Sequence, residues 1–95
     1  MTEPDDRKAM ERELIQPHYL FADAGKALFG ETWQGDMERF LQVDRRTVSR
    51  WISGDMTVPA GVWREIDDLI EVRRKRLIEV ARVIGELRSR EEGLE

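Results

Sequence analysis

The apolar period of this chain breaks once, between Leu41 and Asp44, and the break separates two short amphipathic stretches. In the first, Trp33, Met37, Phe40 and Leu41 share one face of a 3.6-residue period. In the second, Val48, Trp51 and Ile52 repeat the pattern. Asp44 stands where the second helix must begin. Its carboxylate can accept an orphan backbone N–H there, and its charge suits the positive end of the helix dipole. The opposite face of that helix carries Arg45, Arg46, Ser49 and Arg50. One face fixes the helix to a core and the other turns three arginines to water. A helix that reads the major groove needs that arrangement, because arginine can donate two hydrogen bonds to one guanine edge.

The stretch from Gln34 to Gly54 resembles the helix-turn-helix of the Cro/repressor (Xre-like) family of bacterial and phage regulators. The resemblance is carried by Val43-Asp44-Arg45-Arg46-Thr47-Val48-Ser49-Arg50-Trp51, with Gly54 shortly after. Gln34 matches the family's opening glutamine, and Val48 and Trp51 match its buried valine and bulky apolar residue. Val58-Pro59 and Trp63 are similar to the entry of the following helix in some members, so the likeness spans residues 22–78. Two positions depart from the pattern. Glu38 stands where the family favours alanine, and Gln42 where it favours glycine in the turn. The resemblance implies a double-stranded DNA-binding transcriptional regulator, a dimeric repressor of a pseudo-palindromic operator. It also implies phosphate contact at Gln34; Thr47, facing the first turn of the second helix, is a further phosphate candidate.

The remaining chain reads as all-α. Residues 1–16 are charged and poor in apolar groups, which suggests a mobile tail with transient helix around Lys8–Ile15. A helix-turn-helix domain of residues 17–72 follows. Its first helix is expected over His18–Phe29, with an inward face of Leu20, Ala24, Ala27 and Leu28, widened by Phe21. Tyr19 and Phe29 lie at the edges of that face, and Gly25 permits a close helix contact. Gly30 is placed to end this helix and Thr32 to cap the next. Pro59 is expected in the first turn of a last helix. Beyond Ala60 no strong stop occurs before Gly93, giving four to five helices with a long one at the C-terminus. A break near Arg73–Lys75 is the alternative. Residues 73–95 form the expected dimerisation segment. Its stripe of Ile70, Leu77, Val80, Ile84 and Leu87 is interrupted once, at Arg73, and exceeds what so small a domain can cover. Glu71 precedes Lys75, and Glu86 precedes Arg90, by the favourable spacing for helix ion pairs.

Composition narrows the function classes. At 95 residues, 40% of them apolar, the chain can build one small helical core. It has no cysteine and a single histidine, His18, so neither a disulfide framework nor a metal site is expected. Asp67 and Asp68 are adjacent and diverge on a helix, which makes a poor acid/base pair. No phosphate loop and no nucleophile beside a base can be found, so the reading is a non-enzyme without cofactor. The acidic N-terminus lacks an apolar h-region and no apolar run could span a bilayer, which leaves a cytoplasmic setting as the expectation. The net charge of −4 opposes non-specific DNA binding. Its distribution favours a specific site: from Arg39 to Arg50 there are four arginines and one acid, Asp44.

Other features have plainer readings. Trp33, Trp51 and Trp63 could stack on single strands, but their register favours a core. The basic run Arg73–Arg76 sits among acids and reads as a solvated face. Two rival functions remain. One is a protein-interaction or antitoxin-like module acting through the C-terminal helix. The other is a DNA-recruiting subunit of a phage or transposition complex.

Overall fold

A computed structural model describes residues 16–93, which form helices and no strand. Helix α1 spans Pro17–Phe29, a 3-10 turn spans Gly30–Thr32, α2 spans Trp33–Leu41, α3 spans Arg45–Ser53 and α4 spans Ala60–Gly93. The fold is thus three short helices and a long C-terminal one. The expected tail, with its helical stretch Lys8–Ile15, lies outside the described residues apart from Gln16. Two compact units divide within α4, the first closing at Glu65 and the second opening at Ile66.

The core of the first unit is aromatic. Phe21 is fully buried and meets three indoles edge-on, with ring centroids 6.2 Å from Trp33, 5.4 Å from Trp51 and 6.4 Å from Trp63. Edge-to-face pairs of this kind add to the apolar area that each ring buries. Met37, Leu41, Val48 and Val58 complete the buried set. Phe40 is half-buried, with its ring centroid 6.2 Å from that of Phe29. The face of α1 is therefore rotated from its expected position. It is centred on Phe21 and Gly25, while Leu20, Ala24 and Leu28 are half-buried and Ala27 is exposed. Burial energy scales with apolar area, so one phenylalanine ring outweighs two alanines in setting which way a helix turns.

The helix ends follow local rules, with two corrections. Gly30 and Gly54 both adopt positive φ, 77° and 86°, where a side chain would be strained. Thr32 precedes α2, but its hydroxyl caps no backbone N–H; it donates to Asp36 Oδ2 at 2.7 Å. An ionised carboxylate one turn away is a strong acceptor, so the hydroxyl serves as donor. Pro59 lies one residue before α4, where its carbonyl accepts from Val62 and Trp63 at 3.0 and 3.3 Å. Having no N–H, proline is suited to a helix start, and a one-residue difference leaves that role intact.

In the second unit Ile66 is buried, and from Val72 to Glu92 every residue is exposed. The helix runs unbroken through Arg73–Lys75. Ion pairs along it join Glu71 to Arg74 at 2.7 Å, and Arg82 to both Glu79 and Glu86 at 2.6 Å. Glu71 and Glu86 thus engage arginines other than the expected partners, Lys75 and Arg90. The planar guanidinium of Arg74 takes both carboxylate oxygens of Glu71, which an ammonium cannot do. No helix among the described residues is long and apolar enough to cross a membrane.

Candidate nucleic-acid interface

The turn between α2 and α3 is three residues long, Gln42 to Asp44. Gln42 makes it possible by adopting the left-handed conformation, φ 58° and ψ 46°. The chain reverses there while the Val43 N–H returns to the Glu38 carbonyl at 3.1 Å. Asp44 then opens α3 from extended backbone, and its Oδ1 accepts the Thr47 N–H at 2.8 Å. The Thr47 side chain, its backbone N–H and the nearby Arg46 and Arg50 guanidinia hold the Asp44 carboxyl below the ordinary aspartate range. Asp44 is therefore a fixed anion at neutral pH, on the end of the helix where a negative charge is favoured.

Val48 and Trp51 are the buried residues of α3. Their burial leaves Arg45, Arg46, Ser49 and Arg50 exposed together on the other side. Arg45 with Ser49, and Arg46 with Arg50, form two rows at one-turn spacing. Arg50 Nη1 lies 4.0 Å from Met56 Sδ, over the loop that leaves the helix. That loop is tied back by Met56 N–H to Arg50 O at 3.1 Å and by Asp55 N–H, which donates to Ser53 Oγ at 3.3 Å. Thr47 is half-buried and engaged with the cap, so it sits at the margin of the arginine face.

Gln34 is exposed in the first turn of α2. Asp36 shares that turn, and the Thr32 hydroxyl first, then Arg39, keep its carboxyl ionised below the usual range. Arg39 forms an ion pair with it, which offsets the negative charge beside Gln34. The five residues of the apolar stripe, Ile70, Leu77, Val80, Ile84 and Leu87, all stand exposed on the second unit. The features that the sequence left unmarked are the positive φ at Gln42 and the Arg39–Asp36 pair. The place of Gln42 in the break between the two apolar periods was the one signal for the first, and the three-residue spacing of Asp36 and Arg39 was the signal for the second.

Among the described residues, no group of three or more His, Cys, Asp or Glu stands close enough to hold a metal ion. A pocket of about 160 Å³ is lined by Pro17, His18, Trp51, Gly54, Met56, Thr57 and Val58 and brings no acid and base together. No protein-family model matches the chain, and neither the curated proteins nor the solved structures contain a match to it.

Proposed function

We propose that this chain is a sequence-specific double-stranded DNA-binding regulator, a homodimeric repressor that inserts α3 into the major groove through a helix-turn-helix. The observation that carries the reading is the division of α3 itself. Val48 and Trp51 lock one side into the core, and Arg45, Arg46, Ser49 and Arg50 stand exposed on the other. The Asp44 cap and the short turn fix the angle at which that face is offered. Arginines held in two rows on a rigid helix suit bidentate contact with guanine edges. Gln34 and Thr47 would bond phosphates and set the register on the duplex. With a net charge of −4, the whole protein repels the backbone, so affinity would depend heavily on those few contacts. A two-fold dimer would match an inverted repeat with half-sites about one helical turn, or a multiple of it, apart.

Selection from a random duplex pool tests this, followed by binding of the winner and a scrambled control across a salt series. An inverted repeat bound roughly 10³-fold tighter than the control is expected. A flat pool with steep salt dependence would instead support a recruiting subunit that grips the backbone. A second reading, a protein-interaction or antitoxin-like module, is favoured by the exposure of Leu77, Ile84 and Leu87 on α4. It predicts no DNA binding even at low salt.

A further inference from the structure

The seam of α4 has a pattern that reads the same from both ends, except in the sign of its charges. Leu77, Val80, Ile84 and Leu87 occupy alternating three- and four-residue steps and are 66, 37, 48 and 50% exposed. The next residue of the seam on one side is Arg73 and on the other Glu91, both exposed. These two lie about five turns and about 27 Å apart on one helix, on the same face. They are too distant to pair within a chain, yet they stand symmetrically about Arg82. The ion pairs that Arg82 makes with Glu79 and Glu86 lie on the opposite side and leave the seam apolar.

We infer that α4 pairs with α4 of a second copy in antiparallel orientation, with Arg73 of each chain against the partner's Glu91. This rests on the dimer proposed above and assigns its orientation and register. In that register Leu77 packs on the partner's Leu87 and Val80 on the partner's Ile84, so every apolar layer between the two charged ends is filled. Two ion pairs close the ends. A parallel pair in register would instead set Arg73 against Arg73 and Glu91 against Glu91 in the seam, where like charges destabilise and specify against pairing. A single chain that complements itself in this way needs no other protein as its occupant.

The test is a charge-reversal cycle on the full-length chain without DNA, read by sedimentation equilibrium, with circular dichroism to confirm helix content. Arg73→Glu and Glu91→Arg should each weaken association by about tenfold or more. The double variant restores complementarity across the antiparallel seam and should return to within about threefold of the parent. Single reversals without effect, or a double variant no better than either single, overturn the orientation. The chain has no native cysteine, so a spin label on Ser89→Cys gives a second readout. The antiparallel register separates the two labels by about 21 Å along the helix axis, and a parallel one by almost nothing. A monomer at tens of micromolar overturns the self-pairing altogether. A failed DNA selection leaves all of these outcomes unchanged, so the orientation of the pair and the DNA reading fail separately.

Discussion

Gly25 packs flat against the indole of Trp33, so closely that a Cβ at residue 25 would lie 2.2 Å from Trp33 Cε3. Trp33 is itself buried and cannot swing away without opening the core around Phe21. In an exposed helix, glycine to alanine gains up to about 1 kcal/mol. Here overpacking outweighs that gain. Gly25→Ala should destabilise the protein by about 1–3 kcal/mol, read as a fall in the urea midpoint. A stabilised variant would mean that Trp33 is free to move.

Gln42 has the opposite sign. It holds φ 58° in the turn, a conformation that costs a non-glycine residue energy and glycine almost nothing. Gln42→Gly should raise stability by up to about 1 kcal/mol, the net of relieved strain and the greater entropy of an unfolded glycine. A lower urea midpoint would show that the glutamine side chain contributes more than its backbone costs.

Much of the first unit was legible because its signals are local. Asp44 reads as a cap from its place before an apolar period, and the structure gives it the Thr47 N–H. Gly30 and Gly54 announce the ends of α1 and α3, and Val48 and Trp51 are buried as their spacing requires. The rotation of α1 was not legible, because periodicity weighs Ala24 and Ala27 as heavily as Phe21, although the aromatic ring buries far more surface. The role of the Thr32 hydroxyl is not legible for a related reason. Whether it accepts or donates depends on the Asp36 carboxylate one turn on, a local side-chain choice that no propensity records. The arginine face of α3 followed directly from the register of its two buried residues.

The Asp44 carboxyl carries a pH signature. It is held below its ordinary range in the folded protein, so its contribution is fully present above that range. The contribution is lost as pH falls through the folded value. Asp44→Ala leaves the Thr47 N–H without its acceptor and should lower Tm at neutral pH. Asp44→Asn keeps an amide oxygen that can still cap, and should recover most of that loss. The gap between parent and Asp44→Asn should then narrow as the pH is lowered, because only the parent loses a charge. A gap that stays constant with pH would remove the charge from the account and leave the hydrogen bond alone.

Trp51 fills the core with an indole whose Nε1–H is buried and finds no hydrogen-bond partner among the described residues. Trp51→Phe removes that unsatisfied donor together with part of the ring, so the two effects oppose one another. We expect a cost of roughly 1–2 kcal/mol for phenylalanine against roughly 3–5 kcal/mol for alanine, both by chemical denaturation. Equal costs for the two variants would indicate that the N–H is satisfied in solution.

Arg46 and Arg50 form one row of the exposed face, and both flank the Asp44 carboxylate without being buried by it. Removing either guanidinium should leave the core untouched, since Val48 and Trp51 hold α3 from the other side. Under the proposed function, Arg46→Ala and Arg50→Ala keep the parent Tm, helix content and association state. An arginine that meets a guanine edge should cost about 1–3 kcal/mol on the selected duplex and relax preference at that one position. One that meets a phosphate should instead weaken all duplexes alike and reduce the salt slope by about one. The two signatures separate base readers from backbone anchors within the face. If both variants discriminate between duplexes as the parent does, α3 is not the reading element and the DNA-regulator proposal falls.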